Sequence, residues 1–432
     1  MVWSKIAKTF SKIKTILLIA LLLRIFLVIV FSWHPDLLNH IDWGNRFLNL
    51  GARKIYENIF WGVSWLNQPL GTALLFASCA FLKNIIFSFF EFLNQNISIF
   101  PSSIIPILET NLHVWLVKLP FILADIGLGF LIYKIVYKFK PKLATLAAAI
   151  FLFNPVLIYN SAIWGQTDSL INLLAISGFY FIFQKKYFAG IWLFLFGFLF
   201  KMSLIIYLPI FGLLLIKQIK DWKKMILPIL LFIVFLFLIA LPFKLDGFTS
   251  FRWLWYMYTN RVLVRQGSML NGNAFNLWTL IFSIDLSKSE FTKVFGLSYQ
   301  LIGRILFILS LIPICLKFIK TKLTISSLFS ALVLSAFSCF IFMTNMHERY
   351  LYPIFPLISV LLFVPKTKFN LKNLIILSVI HFLNLYNLWF YPQINLLKNF
   401  LISNNFLTCR VLSAILIIVY IKYFIDYLRS EN

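Results

Sequence analysis

Apolar runs of membrane-spanning length recur along the whole chain and are separated by short polar segments. A helix needs about 20 apolar residues to cross a bilayer, and unbroken apolar runs are typical of such helices rather than of barrel strands, which alternate. We therefore predict an all-α fold, a polytopic transmembrane helical bundle that forms a single integral membrane domain over residues 1–432. About twelve spans are predicted, namely 15–32, 115–137, 143–160, 168–183, 187–200, 203–216, 225–243, 299–317, 324–343, 350–364, 373–391 and 407–427.

Basic residues between the runs predict how the bundle is oriented. Lysines precede the first run, and further basic clusters lie at 138–142, 185–186, 217–224, 317–322, 366–372 and 422–429. This is the positive-inside pattern, in which such loops stay in the cytoplasm. We therefore predict a multi-pass protein of the plasma membrane with both termini in the cytoplasm. Residues 33–113 and 244–298 then form long extracytoplasmic loops.

Two apolar stretches, 70–90 and 115–137, compete for one crossing between the first outer loop and the basic loop at Lys138. Counting both would put that basic loop outside. The first stretch is interrupted by Lys83-Asn84, so we predict that it is an interfacial or re-entrant helix and that the second one crosses. The short apolar piece 275–284 is also predicted to lie in the membrane interface, because it is too short to span.

Composition excludes a soluble globule and a nucleic-acid surface. Hydrophobic residues make up 61% of the chain and the mean hydropathy is +0.90, whereas soluble domains are about half apolar. The net charge of +25 includes many lysines in short loops rather than one basic soluble face. We therefore predict a lipid bilayer as partner and no nucleic acid. The 4 cysteines have no metal-ligand spacing and are predicted to have packing roles.

Three polar clusters stand at the ends of apolar runs, although the chain has only 14 acidic residues. They are HPD (34–36) with Asp42, WGQTD (164–168) and HERY (347–350). A polar group near lipid is costly, so such groups are candidates for a functional site. The basic loops put all three clusters on the outer face, and we therefore predict that they build one site.

Asp36 and Asp42 lie in an outer loop that can fold over a cavity. A carboxylate in that position suits a general base or a metal ligand. The alternative is a pair of exposed loop acids, or a cap for a short helix that begins near Asn39.

The WGQTD segment forms a predicted tight turn between two spans. Asn154-Pro155 precedes it and should break or kink the helix that leads to it. Gly165 suits the turn, and Asp168 either caps the next helix or contacts a substrate. The two roles of Asp168 are compatible.

Cations on the predicted outer side suit a phosphate. Arg349 keeps its charge, offers a planar fork of donors and stands beside His347. The alternative is an arginine that reaches the lipid headgroups with Glu348 as its partner. Three further cations contradict the positive-inside bias and need an explanation: Lys201, Arg261 and Arg265.

Lys118 and Asp125 are seven residues apart, so they share one face of a helix at a separation of about 10 Å along its axis. We predict that this polar face is directed into the bundle. Together with the outer clusters, these residues predict group transfer from a lipid phosphate. A carboxylate would deprotonate an acceptor hydroxyl, and cations would stabilise the departing phosphate.

Several of these segments resemble a known family. They are the acidic first outer loop (34–43), NQPLG (67–71), KLP (118–120) with Ala124-Asp125, and the WGQTD and HERY segments. Together they extend over most of the chain. In this combination the chain resembles membrane glycosyltransferases of the GT-C superfamily, most closely the bacterial and archaeal proteins similar to GPI mannosyltransferases.

The resemblance implies an inverting transfer of one sugar, with mannose as the expected sugar. The donor would be a polyprenyl-phosphate-linked sugar and the acceptor a glycan, a lipid or a protein, with the reaction at the extracytoplasmic face. No nucleotide-binding fold is implied. Cofactors are not required by the resemblance, but a divalent cation stays open because Asp36 and Asp42 do not form a tight Asp-x-Asp pair.

The resemblance also implies roles for individual residues. Asp36 would be the catalytic base and Asp42 would assist it, although their division of labour stays open. The predicted substrate-binding residues are Asp168, Gln166, Trp164, Lys118, Asp125 and Lys201. The predicted donor-phosphate residues are His347, Arg349, Arg261 and Arg265. The chain departs from the family at NQPL (67–70), where relatives often carry consecutive prolines.

Two other functions fit the same features. A transporter or flippase of lipid-linked sugars could also have about twelve spans, but transporters tend to place polar groups near the midplane and to show two related halves. A polysaccharide polymerase or ligase would use an oligosaccharide on a diphosphate lipid. The acids at one face and the lack of visible internal symmetry favour the glycosyltransferase over the transporter.

Overall fold

The fold is all-α in the residues that the structure, a computed structural model, describes: 2–56, 65–244, 247, 249–263, 268–365 and 367–430, with side chains from Lys12 onward. The described strands form one antiparallel hairpin, β1 (Lys293–Val294) and β2 (Leu297–Ser298). The all-α prediction is therefore confirmed for this part of the chain.

Helices occupy most of the apolar runs. The α-helices are α1 (Val2–Val30), α2 (Leu37–Leu50), α3 (Leu70–Asn96), α4 (Ile104–Tyr137), α5 (Ala144–Leu152), α6 (Pro155–Ile158), α7 (Asp168–Phe183), α8 (Tyr187–Gly197), α9 (Leu208–Gln218), α10 (Lys223–Ala240), α11 (Ser250–Met257), α12 (Leu277–Phe282), α13 (Tyr299–Lys320), α14 (Ile325–Phe342), α15 (Ile354–Leu361), α16 (Leu371–Tyr386) and α17 (Asn395–Arg429). Tighter 3₁₀ turns occur at Pro141–Leu143, Met202–Tyr207, Leu241–Phe243 and Glu348–Leu351, and π-helical turns at Tyr159–Trp164 and Tyr258–Val262.

Seven helices among the described residues are long and apolar enough to cross a membrane, and the number is eight if a bent pair of helices, Pro141–Leu152 and Pro155–Trp164, is one span. The seven are Lys12–Val30, Leu70–Asn96, Ile104–Tyr137, Lys223–Phe243, Tyr299–Lys320, Ile325–Phe342 and Asn395–Arg429. Shorter apolar helices lie at Asp168–Phe183, Tyr187–Gly197, Met202–Gln218 and Leu371–Tyr386. These helices indicate an integral membrane protein. The total of about twelve crossings and their orientation stay predictions.

Helix α3 differs from the expectation for its sequence. Lys83-Asn84 does not interrupt it, and it continues unbroken for 27 residues. The Lys83 ammonium lies 4.7 Å from the centre of the Phe87 ring, one turn along the helix, so the helix itself provides a contact for this charge. Phe76 contacts Phe121 and Cys79 bonds to the Leu116 carbonyl, which makes α3 antiparallel to α4. Its length and composition are those of a spanning helix, so the interfacial position predicted for 70–90 gains no support.

The predicted break at Asn154-Pro155 is confirmed. The helices on its two sides are bent by 50°, and the Asn154 side chain accepts a hydrogen bond from Val156 N at the start of the second one. Proline lacks the N–H that would continue the helix, and its ring clashes with the preceding turn. The following π-helical turn ends at Gly165, which has a left-handed φ of +87°. This break leads the chain to the WGQTD segment.

A buried ion pair connects the first helix to the core. Arg24 Nε lies 3.1 Å from Asp125 Oδ2, and the hydroxyl of Tyr352 donates to Asp125 Oδ1 at 2.7 Å. Arg24 also donates to the carbonyl of Leu152. Lys118 and Asp125 are both fully buried, so the polar face that they share is directed into the protein, as predicted.

The centre of the bundle is formed by α14 and α15. Nearly every side chain of α14 is buried, and so are all 8 residues of α15. The predicted span 350–364 is therefore a short core helix. The 3₁₀ turn Glu348–Leu351 precedes it and carries most of the HERY segment.

The loop predicted at 244–298 packs against the bundle in its described part. Helix α12 occupies the middle of the apolar piece 275–284, and its Trp278 donates from Nε1 to the carbonyl of Phe342 at the end of α14. The predicted interfacial position of 275–284 did not include this contact with the bundle. Asp246, near the start of the loop, lies outside the described residues.

Candidate active site

A cavity of about 520 Å³ lies where polar segments from distant parts of the sequence meet. Its walls are contributed by the start of α2, the start of α3, the WGQTD segment, Lys201, residues 343–347, 349 and 350, and Trp389. Its size is within the range of sites for small molecules, about 300–1,000 Å³. Residues of the HPD, WGQTD and HERY segments thus converge on one cavity, as predicted.

Asp36 lies at the wall of this cavity and joins the first cluster to the second. Its Oδ2 accepts hydrogen bonds from Gln166 Nε2 at 2.6 Å and from Trp164 Nε1 at 3.2 Å. Asp36 is the N-cap residue of α2, but its side chain makes no capping bond to that helix. The carboxylate therefore binds the WGQTD segment. The alternative role as a helix cap is not supported, because the side chain makes no capping hydrogen bond.

Arg349 supplies the positive charge beside this carboxylate. Its guanidinium carbon lies 5.6 Å from the ring centres of both Trp164 and Tyr350, and its Nη1 lies 3.3 Å from Glu348 Oε1. Burial lowers the pKa of Arg349, but Tyr350, Glu348 and Asp36 raise it above its usual value. The guanidinium therefore stays charged at the cavity.

The charge of Arg349 also acts on Asp36. Burial raises the pKa of the Asp36 carboxyl, but the charge of Arg349 and the hydrogen bond from Trp164 lower it. The lowering effects are the larger, so the pKa lies below its usual value of 3.8. Asp36 is thus an ionised carboxylate at neutral pH. Only a weak contact from Asn39 Nδ2, at 3.5 Å, reaches its other oxygen, Oδ1, among the described residues.

Two histidines line the cavity as neutral imidazoles. Burial lowers the pKa of His347 to about 3 and that of His40 to about 4. His40 stacks on Phe76 with ring centres 4.5 Å apart. The chain next to His347 is held by a hydrogen bond from Gly272 N to the Met346 carbonyl, and Gly272 lies so close to the His347 ring that an added Cβ would be 3.1 Å from it.

Lys201 brings a second cation to the cavity. It lies between α8 and the 3₁₀ turn Met202–Tyr207, and its Nζ is 2.8 Å from Asp168 Oδ1. The side chains of both residues are at least nine-tenths buried, with 9% and 4% exposed. Asp168, the first residue of α7, is thus placed behind Lys201 rather than on the cavity wall.

Three predicted site residues make structural contacts instead. Asp42 pairs with Arg46, one turn along α2, at 2.6 Å, and it does not line the cavity. Lys118 Nζ donates to the carbonyls of Phe31 and Ile163. Asp125 is held by Arg24 in the core. The geometry favours structural roles for these three, because Lys118 and Asp125 have hydrogen-bond partners away from the cavity and Asp42 is paired with Arg46 off the cavity wall.

Two further predicted residues, Arg261 and Arg265, follow α11 in the chain. Arg261 belongs to the π-helical turn Tyr258–Val262, and the next two residues, Val262 and Leu263, line the cavity. Arg265 lies outside the described residues. Their predicted contact with a donor phosphate stays a prediction.

Sequence reasoning missed Trp389. Its ring lies 5.3 Å from that of Trp164 and 5.1 Å from that of His34, and its Nε1 donates to Glu348 at 3.4 Å. It follows an apolar helix without a neighbouring charge, so the sequence gives no signal for it. Glu348 itself is buried, which raises the pKa of its carboxyl.

No group of three or more His, Cys, Asp or Glu side chains within the described ranges could hold a metal ion. These residues therefore offer no set of ligands for the divalent cation that the resemblance leaves open.

Comparison with models of protein families and with curated proteins gives no match.

Gly165 fixes the WGQTD turn, and we expect Gly165→Ala to destabilise the protein by at least about 2 kcal/mol. Its φ is +87°, and an added Cβ would lie 2.8 Å from Leu37 and 2.9 Å from Lys118. The measurement is the midpoint of thermal unfolding in detergent. Gly212→Ala is the matched control, since a Cβ there meets nothing within 4 Å, and it should leave the midpoint unchanged or raise it. Equal midpoints for the two variants would contradict this account of the turn.

Proposed function

We propose that the protein is a membrane glycosyltransferase that moves one sugar from a polyprenyl-phosphate-linked donor to a glycan, lipid or protein acceptor. The observation that carries the proposal is the arrangement of one carboxylate, Asp36, with two cations, Lys201 and Arg349, around one cavity. The basic loops of the sequence support an extracytoplasmic position for this cavity.

In the proposed reaction the acceptor hydroxyl attacks the anomeric carbon of the sugar from the face opposite the phosphate. A bond forms between the acceptor oxygen and that carbon, and the bond between the carbon and the phosphate oxygen breaks. Asp36 accepts the proton of the hydroxyl, and polyprenyl phosphate leaves with both bonding electrons. Attack from the opposite face inverts the configuration at the anomeric carbon.

The cations act on the departing phosphate. Arg349 offers fixed, charged donors and Lys201 a compact ammonium, and both stabilise negative charge as it develops on the leaving group. Neutral His40 and His347 can each donate one hydrogen bond to the donor or the acceptor. Asp36 has a low pKa and is a weak base in the ground state, so the proton moves late, after attack on the sugar has made the hydroxyl acidic.

The sugar and the class of reaction are tested with labelled donors. Purified protein in liposomes is mixed with a membrane extract that supplies the acceptors. It is then given polyprenyl-phosphate-mannose and, in separate reactions, the glucose and arabinose donors. Label transferred to the extract is compared with that from protein-free liposomes. Transfer from one monophosphate donor supports the proposal, and mannose is the sugar that the family resemblance favours.

Rival functions are separated in the same assay. Label that moves only from an oligosaccharide on a diphosphate lipid would replace the proposal with a polymerase or ligase. Label that stays on its lipid but changes leaflet would replace it with a flippase. No transfer from any of the donors would remove the proposal.

We expect the transfer rate to be nearly constant from about pH 5.5 to about pH 7.5. Burial lowers the pKa values of His40 and His347 to about 4 and about 3, so neither gains a proton in this interval. The lowered pKa of Asp36 keeps its carboxylate charged over the same interval. The measurement is kcat/KM against pH. A fall toward acid centred near 6.5, the usual histidine pKa, would contradict the burial of these imidazoles.

A further inference from the structure

A second, smaller cavity adjoins the active-site cavity. It has a volume of about 120 Å³ and is called the back chamber here; its walls include Asp168, Asn172, Tyr207, Ile205 and Cys339. Three residues line both cavities: Ser203, Met346 and Tyr350. Lys201 lines the active-site cavity, while its ion-pair partner Asp168 lines the back chamber. The ion pair thus joins the walls of the two cavities.

Three buried polar atoms on the walls of the back chamber lack a hydrogen-bond partner in the described part of the chain: Asp168 Oδ2, Asn172 Oδ1 and the Tyr207 hydroxyl. The three residues are 3%, 0% and 1% exposed. A buried polar group without a partner is strongly disfavoured, and a charged one more so. A polar occupant is therefore required, although much of the remaining wall is apolar.

Size and charge favour water as this occupant. The chamber has room for about four water molecules, each of which needs two to four polar partners. A metal cation is disfavoured, because the Lys201 ammonium already neutralises the carboxylate at 2.8 Å and Arg349 adds a further positive charge nearby. A dry apolar occupant would leave all three polar atoms unsatisfied.

We propose that the hydrated back chamber and Asp168 position the Lys201 ammonium as an anion-binding group at the wall of the active-site cavity. Asp168 is then a positioning residue, since it acts through Lys201 and has no contact with the reacting atoms. Its carboxylate is held by Lys201 on one oxygen and by chamber water on the other. This inference rests on the proposed function for the identity of the anion, the phosphate of the lipid donor.

The charge of Lys201 is sensitive to its surroundings. The titratable and charged groups that face it are Asp168, Arg349, Asp36, His40, His347 and Tyr350. Burial lowers the pKa of Lys201, and the charge of Asp168 opposes that effect. Removing the Asp168 charge therefore lowers the pKa further, so that the ammonium is lost at a lower pH and anion binding weakens as the pH rises.

The first test measures donor KM and kcat for wild type and Asp168→Asn between pH 6 and pH 9. We expect the variant to lose donor affinity on the alkaline side at a pH lower by about one unit or more than wild type. Tyr207→Phe, which removes one chamber hydroxyl, should move the profile in the same direction by less. Ile205→Ala, which changes an apolar wall residue, should not move it. Identical pH profiles for wild type and Asp168→Asn would overturn the inference.

The second test does not depend on activity. Sulfate keeps its charge between pH 6 and pH 8, and its effect on the thermal midpoint is measured for wild type, Asp168→Asn and Lys201→Met. Lys201→Met reports the non-specific effect of the salt. We expect the excess stabilisation over Lys201→Met to be present in wild type at both pH values and to be lost at pH 8 in Asp168→Asn.

The two tests separate the inference from the proposed function. An excess sulfate effect in a protein that uses none of the donors would retain the anion site and remove the glycosyltransferase. Donor transfer together with no excess sulfate effect in wild type would retain the enzyme and overturn the role of Lys201. If Asp168→Asn does not fold, the comparison of wild type with Lys201→Met and Tyr207→Phe decides the same question.

Discussion

Asp36→Asn is expected to lower the rate of sugar transfer by about 10²–10⁴-fold, the range for loss of a general base. The variant keeps an oxygen that can accept the hydrogen bonds from Trp164 and Gln166, so the turn should remain in place. It cannot accept the proton of an acceptor hydroxyl, and it removes the negative charge beside Arg349. The measurement is the initial rate of label transfer at saturating donor, with the thermal midpoint as a check on folding.

Asp42→Asn is the matched control, because Asp42 is a second carboxylate in the same part of the chain. It pairs with Arg46 on α2, with 26% of its side chain exposed, and does not line the cavity. We expect a rate within about threefold of wild type, since this partly exposed ion pair contributes little to stability and lies off the cavity wall. A large loss for Asp42→Asn with normal activity of Asp36→Asn would reverse the assignment. A wild-type rate in both Asp36→Asn and Asp42→Asn would remove the carboxylate base from the mechanism.

The sequence was enough to predict that distant polar clusters meet. Charge in the loops and the positions of the apolar runs place Asp36, Asp168 and Arg349 toward one end of the bundle, and the structure brings the segments that carry them to one cavity. The kink at Asn154-Pro155 was also predictable, because proline breaks a helix through its own covalent geometry. Both inferences depend on local chemistry or on the order of the spans.

The partners of individual side chains could not be predicted in the same way. Arg24 stands in the middle of the apolar run 15–32, and its contact with Asp125 depends on how α1 and α4 are rotated about their axes. The same holds for Trp389, which reaches the cavity only through the packing of α16. Seven-residue spacing correctly placed Lys118 and Asp125 on a buried face, but it could not distinguish a substrate contact from a structural one.

Removing one member of the Arg24–Asp125 pair is expected to cause the largest loss of stability, about 3–5 kcal/mol. Both side chains are 0% exposed, so Asp125→Leu leaves the guanidinium without its counter-charge in the core. Among the described residues, Arg24 then retains only its bonds to the carbonyls of Ala20 and Leu152. The measurement is thermal or denaturant unfolding in detergent. Tyr352→Phe, which removes one neutral donor from Asp125, should cost less, about 1–3 kcal/mol.

The double variant Arg24→Met with Asp125→Leu decides between the two roles of Asp125. It removes both charges and replaces them with apolar side chains of similar size, so most of the stability lost in Asp125→Leu should return. If Asp125 is structural, the double variant also retains sugar transfer. A double variant that folds with the wild-type midpoint but transfers no sugar would instead support the predicted substrate contact. A double variant that is no more stable than Asp125→Leu would show that the pair is not the source of the loss.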